Sequence, residues 1–238
     1  MSVGTVVPYC GIPPAPAELA STWNVDPPLL AALTFAGLVM LRLPERRRRA
    51  GLAGVALLAV IFVSPLCALA SALFAARGVH HLALAAVAAP LLAAALPAAR
   101  RGGVAVPLGL SSLVLWLWHW PALYDAIYRE PALYWLMQGL LLASFVGFWR
   151  AVMSPGTAPL AALLGIGAGA GQMGLLGALL TLAPAPLYPV HGAGALLWGL
   201  DPLQDQQLAG LLMWVPAFFV YGGYALMATR RLDRAAFE

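Results

Sequence analysis

His80, His81, His119 and His191 are the four imidazoles of the chain, and His119 interrupts an apolar run in which an ionisable group is costly to bury. Met173 and Met213 stand within two further apolar runs. Imidazole and thioether together suit copper, above all Cu(I), better than magnesium or calcium, which prefer oxygen ligands. Asp205, Ala209 and Met213 follow i, i+4, i+8 spacing, so a carboxylate and a thioether share one helix stripe along which a cation could pass. Each residue also has a plainer reading. The methionines can be packing, His80 and His119 can hydrogen-bond a neighbouring helix, and His191, between glycine and proline, is more often solvent-exposed than ligating. His119 lies in Trp116-Leu117-Trp118-His119-Trp120-Pro121, where tryptophans can form an interfacial belt and Pro121 can kink the helix and expose the imidazole.

The elements that must position these groups are membrane helices. Of 238 residues 62% are hydrophobic and only 9% are charged, and the mean hydropathy is +0.86, which excludes a soluble globular domain. A transmembrane helix needs roughly 20 apolar residues. Apolar runs divided by charge, proline and glycine place seven spans near 28–43, 51–76, 81–98, 105–127, 131–150, 158–183 and 206–228. The expected fold is an all-α bundle of about seven helices. Residues 1–27 form an outer segment without the features of a cleaved signal, 28–228 the membrane domain, and 229–238 a cytoplasmic tail. Under this division all four histidines fall toward the outer side. Cys10 and Cys67, one in the outer segment and one in a span, are expected to be unpaired thiols.

Arginine sets the orientation. With the N-terminus outside, eleven arginines face the cytoplasm (Arg42, Arg46, Arg47, Arg48, Arg49, Arg100, Arg101, Arg150, Arg230, Arg231 and Arg234), against only Arg77 and Arg129 outside. Six of the nine acidic residues then fall outside, giving an outer mouth that attracts cations. Gly165-Ile166-Gly167-Ala168-Gly169-Ala170-Gly171 holds overlapping GxxxG patterns, which allow close helix packing and make no phosphate loop. No lysine occurs, so a retinal Schiff base is excluded.

Three segments carry a resemblance: His81-Leu82-Ala83-Leu84 leading to Ala89-Pro90-Leu91-Leu92, then Trp116-Leu117-Trp118-His119-Trp120-Pro121-Ala122-Leu123-Tyr124-Asp125, and Asp205-Gln206-Gln207-Leu208-Ala209-Gly210-Leu211-Leu212-Met213-Trp214-Val215-Pro216. Together they resemble the CtaG family of cytochrome c oxidase assembly factors, seven-span proteins associated with copper supply to the oxidase. The resemblance implies a non-enzymatic membrane protein that handles copper at His81, His119, Asp205 and Met213, with His80, Met173 and His191 as further candidates. Its partners would be an oxidase subunit and an outer-face copper donor, and its location a bacterial inner membrane. Family members often carry another histidine four residues before the one matched by His81, where this chain has Arg77. Two other readings are an intramembrane zinc hydrolase, using His81, His119 and His191 with Asp125 or Asp205 as base, and a metal-free scaffold for oxidase assembly. The hydrolase needs three firm ligands, and no HExxH pair supplies their geometry.

Overall fold

The computed structural model describes residues 7–99 and 103–236. Proline opens most of the long helices, because its missing amide hydrogen would be unpaired there in any case and its φ is already helical. In chain order the helices are α1 Pro27–Leu41, α2 Glu45–Val63, α3 Pro65–Ala72, α4 Phe74–Ala95, α5 Ala105–Trp118, α6 Pro121–Arg129, α7 Pro131–Val152, α8 Pro159–Leu182, the short α9 Gly192–Leu197, and α10 Pro202–Ala236. No strand occurs among the described residues, so the all-α expectation holds.

α4, α7, α8 and α10 are each long and apolar enough to cross a bilayer. α2 with α3 and α5 with α6 are long and apolar enough only as pairs bent by 51° and 73°, giving four to six candidate spans, with the 15-residue apolar α1 beside them. This is the make-up of a membrane protein. Two of the seven runs read from the sequence are therefore broken elements. The helix that holds His80 and His81 starts at Phe74, so neither histidine begins it. Arg100 and Arg101 lie outside the described residues.

Each break has a local cause. Ser64 is extended, accepts a hydrogen bond on Oγ from Leu66 N (3.3 Å), and precedes Pro65, so it ends α2 and caps α3. Pro121 stops α5 and opens α6. Within α4, Pro90 leaves a different mark, a π-helical stretch over Ala83–Ala88. There Ala89 N donates five residues back to Leu84 O, so Ala85 O is the carbonyl that residue 90 would serve. Proline has no hydrogen to give, and Trp149 Nε1 on α7 donates to Ala85 O instead, at 2.8 Å.

A Cβ on Gly165, inside the glycine-rich run, would collide with Val104 Cγ1, and one on Gly194 of α9 with Ala72 O of α3, but the approach of α8 to α10 lies outside the run. A Cβ on Gly177 of α8 would meet Gly210 O of α10 at 2.9 Å, and one on Gly210 would collide with Thr181 Oγ1. Inside the run, Gly169 faces Phe148 and Tyr221, whereas Gly167 and Gly171 face open space. The N-terminal segment folds back as a strap. Trp198 Nε1 donates to Pro14 O (2.9 Å), Ser71 Oγ to Gly11 O (3.2 Å) and Asn24 Nδ2 to Phe62 O (3.1 Å). Cys10 is disulfide-bonded to Cys67, which corrects the expectation of two unpaired thiols. Their Cα atoms are 5.3 Å apart because the strap crosses the start of α3, a proximity that a separation of 57 residues conceals.

Candidate functional site

The centre of the site is the first half of α4, held by its neighbours. Its first amides, Phe74 N and Ala75 N, donate to the two carboxylate oxygens of Asp205 on α10, at 2.7 and 3.0 Å. Asp205 is buried and satisfies amides that open a helix, a position favoured for negative charge. One and two turns further along α10, Ala209 and Met213 press against Gly78: a Cβ there would lie 3.3 Å from Ala209 O and 3.2 Å from Met213 Cγ. The Asp205, Ala209, Met213 stripe is therefore a packed helix seam.

His80 and His81 follow on α4 and are almost completely buried. Their rings lie 5.8 Å apart, and the His81 ring is 5.6 Å from that of His119, which ends α5. The break at Pro121 turns His119 inward, and at 6% exposure it is buried, where a kink was expected to expose it. His119 Nδ1 lies 2.7 Å from Leu115 O. A carbonyl only accepts, so Nδ1 carries the hydrogen and Nε2 keeps its lone pair. Metal-binding imidazoles are oriented by this same kind of bond. Both ring nitrogens of His80 and of His81 are buried without a hydrogen-bond partner. Burying such groups unpaired is unfavourable, and each neutral ring keeps one nitrogen lone pair to offer.

His191 stands apart. It is buried at 2% exposure, where the sequence favoured an exposed loop residue, and its Nε2 lies 2.8 Å from Tyr124 Oη. Phe74, Tyr124 and Tyr128 surround its ring. Burial, assisted by the charge of Arg77, pushes its pKa down to about 3. Met173 is buried in the apolar core of α8, next to Gln172, whose Oε1 accepts from Trp116 Nε1 at 2.8 Å. Among the described residues no three His, Cys, Asp or Glu groups converge on a point that could hold a metal ion. What the fold brings together is an imidazole row, His80, His81 and His119, with the Met213 thioether one turn away along α4.

Sequence reasoning missed the surroundings of Arg77. Read as an outer cation, it is 4% exposed inside the bundle, with its guanidinium 5.4 Å from the centre of the Tyr134 ring. The available signal was spacing, since Arg77 precedes His81 by one helical turn.

Bent, apolar helices long enough to cross a bilayer, packed around a buried row of imidazoles, define an all-helical membrane protein. The family model of the cytochrome c oxidase caa3 assembly factor matches residues 103–235, more than half of the chain, and the chain belongs to that family. His119, Met173, His191, Asp205 and Met213 fall within the match, whereas His80 and His81 precede it. No curated protein and no solved structure matches the chain.

Proposed function

We propose that this chain assists cytochrome c oxidase assembly by receiving copper from the outer side of a bacterial inner membrane and passing it to an oxidase subunit, without a catalytic step of its own. The observation that carries the reading is the His119 Nδ1–Leu115 O bond, which leaves Nε2 free beside a His81 ring whose two nitrogens have no partner. Copper is cargo here. His81 and His119 hold it, with His80 beside His81 and Met213 of α10, packed on Gly78 one turn before them, as the further ligands. Few ligands favour release over storage. Asp205 acts as a helix cap, and His191 and Met173 as packing and hydrogen-bonding residues.

Orientation belongs to the same proposal. A disulfide forms on the oxidising side of a membrane, so the Cys10–Cys67 bond supports placing the strap and the start of α3 outside. The arginines of α2 and at the end of α7 then lie inside, as the positive-inside rule asks. α1 joins the candidate spans as a seventh crossing in this arrangement, with 1–27 outside and 229–238 in the cytoplasm. An oxidase subunit and an outer-face copper donor are the proposed partners. The zinc hydrolase reading gains no triad of firm ligands from this geometry.

The test is copper and zinc content of detergent-purified protein after anaerobic loading with Cu(I). About one copper per chain is expected, falling severalfold in His81→Ala, His119→Ala and Met213→Leu proteins that elute and melt as folded. Well-folded wild type without copper would leave the scaffold reading in its place, and stoichiometric zinc would restore the hydrolase.

A further inference from the structure

Arg77 is a buried cation for which the described residues supply no counter-charge. The ion pair they do show, Arg49 with Glu45, lies at the α2 start. Residues 1–6, outside the described part, contain no acidic residue. Asp205, one turn back on the α4 side, has both oxygens committed to amides. Arg77 Nη1 is buried and has no hydrogen-bond partner.

The guanidinium lines a small, partly enclosed chamber with Pro8, Tyr9, Tyr124, Ile127, Tyr128, Tyr134 and Met137. The chamber has a volume of about 10 Å³, enough for one water-sized particle. Its tyrosines offer dipoles and ring faces, which lessen the cost of a cation without neutralising it. The Tyr124 and Tyr134 hydroxyls also accept hydrogen bonds from the guanidinium, Tyr124 Oη lies 2.8 Å from His191 Nε2, and Tyr128 Oη donates to Ser71 O, which leaves Nη1 without a partner and the charge unneutralised. The outer wall is the strap, where Tyr9 stacks on Tyr134 and donates to Asp26 Oδ2 at 2.5 Å. Cys10 pins the strap in place.

We propose that this chamber is a binding site for one small monovalent anion of the halide class, held by Arg77 beneath the disulfide-tied strap. A phosphate or a carboxylate ligand is too large for the space, and a neutral water would leave the charge unmatched. The site is independent of copper, because it follows from the buried charge and the cavity alone.

The experiment is thermal unfolding of the purified full-length protein in chloride and in bromide against gluconate at matched ionic strength, for wild type and Arg77→Gln. Expected is a saturable rise in melting temperature with either halide in wild type, absent in a folded Arg77→Gln protein. A wild-type response no greater than that in gluconate overturns the proposal, as does an equal halide response in Arg77→Gln. If Arg77→Gln does not fold, crystals of wild type grown in bromide decide: an anomalous peak beside Arg77 upholds the site, and a chamber without one overturns it.

Discussion

Single residues divide into those that could take a metal and those that hold the fold, and Asp205 shows how chemistry read from residue type can mislead. A carboxylate at the mouth of a helix stripe looks like a ligand in the sequence, yet both of its oxygens accept from the first amides of α4. Asp205→Asn keeps one acceptor and sets an amide donor against the other N–H. The expected cost is about 1–3 kcal/mol, seen as a lower melting temperature with copper per folded chain unchanged. Unchanged stability with lost copper would make Asp205 a ligand after all. The histidines were legible as a set but not by environment. His119 and His191 are both buried, because the breaks and turns that hold them point inward, and linear spacing does not record that direction. His81 and His119 could be singled out from the sequence; the Leu115 carbonyl that fixes the His119 tautomer could not, because it has no side-chain signature.

At the level of elements, proline carried most of the readable information and also its main ambiguity. Pro27, Pro131, Pro159 and Pro202 mark helix starts close to where the apolar runs suggest them, whereas Pro121 divides the run 105–127. Pro65 divides a stretch read as one span, and Pro90 sits inside α4, which continues through it as a π-helical segment. Composition does not separate these outcomes. The difference lies in whether another helix brings a donor to the stranded carbonyl, as Trp149 does for Ala85. Trp149→Phe keeps the ring and removes the donor. A destabilisation of about 1–3 kcal/mol is expected, with slower-protected amides along 83–88 exchanging faster by hydrogen exchange. Equal stability would mean that water or a relaxed backbone serves Ala85 O equally well. The glycine-rich run illustrates the same limit, since its pattern announced close packing while the approach of α8 to α10, Gly177 against Gly210, lies one and a half turns beyond it.

Over the whole molecule, contacts distant in sequence decide what the sequence could not show. α4 receives a cap and a thioether from α10, an imidazole from the end of α5 and an indole from α7, while the strap closes over Arg77 through the Cys10–Cys67 bond. The all-α membrane character was legible because hydropathy is additive along the chain. The disulfide and the Arg77 chamber were not, because both depend on how the N-terminal segment folds back across α3 and α7. The claim that joins these parts is that His81, His119 and Met213 meet one copper ion. Copper K-edge X-ray absorption of the Cu(I)-loaded protein tests it most directly. A low-coordinate shell of imidazole nitrogen and one sulfur is expected, with the sulfur absent from Met213→Leu and the imidazole scattering reduced in His119→Ala. A shell without imidazole, or one unchanged in both variants, would contradict it.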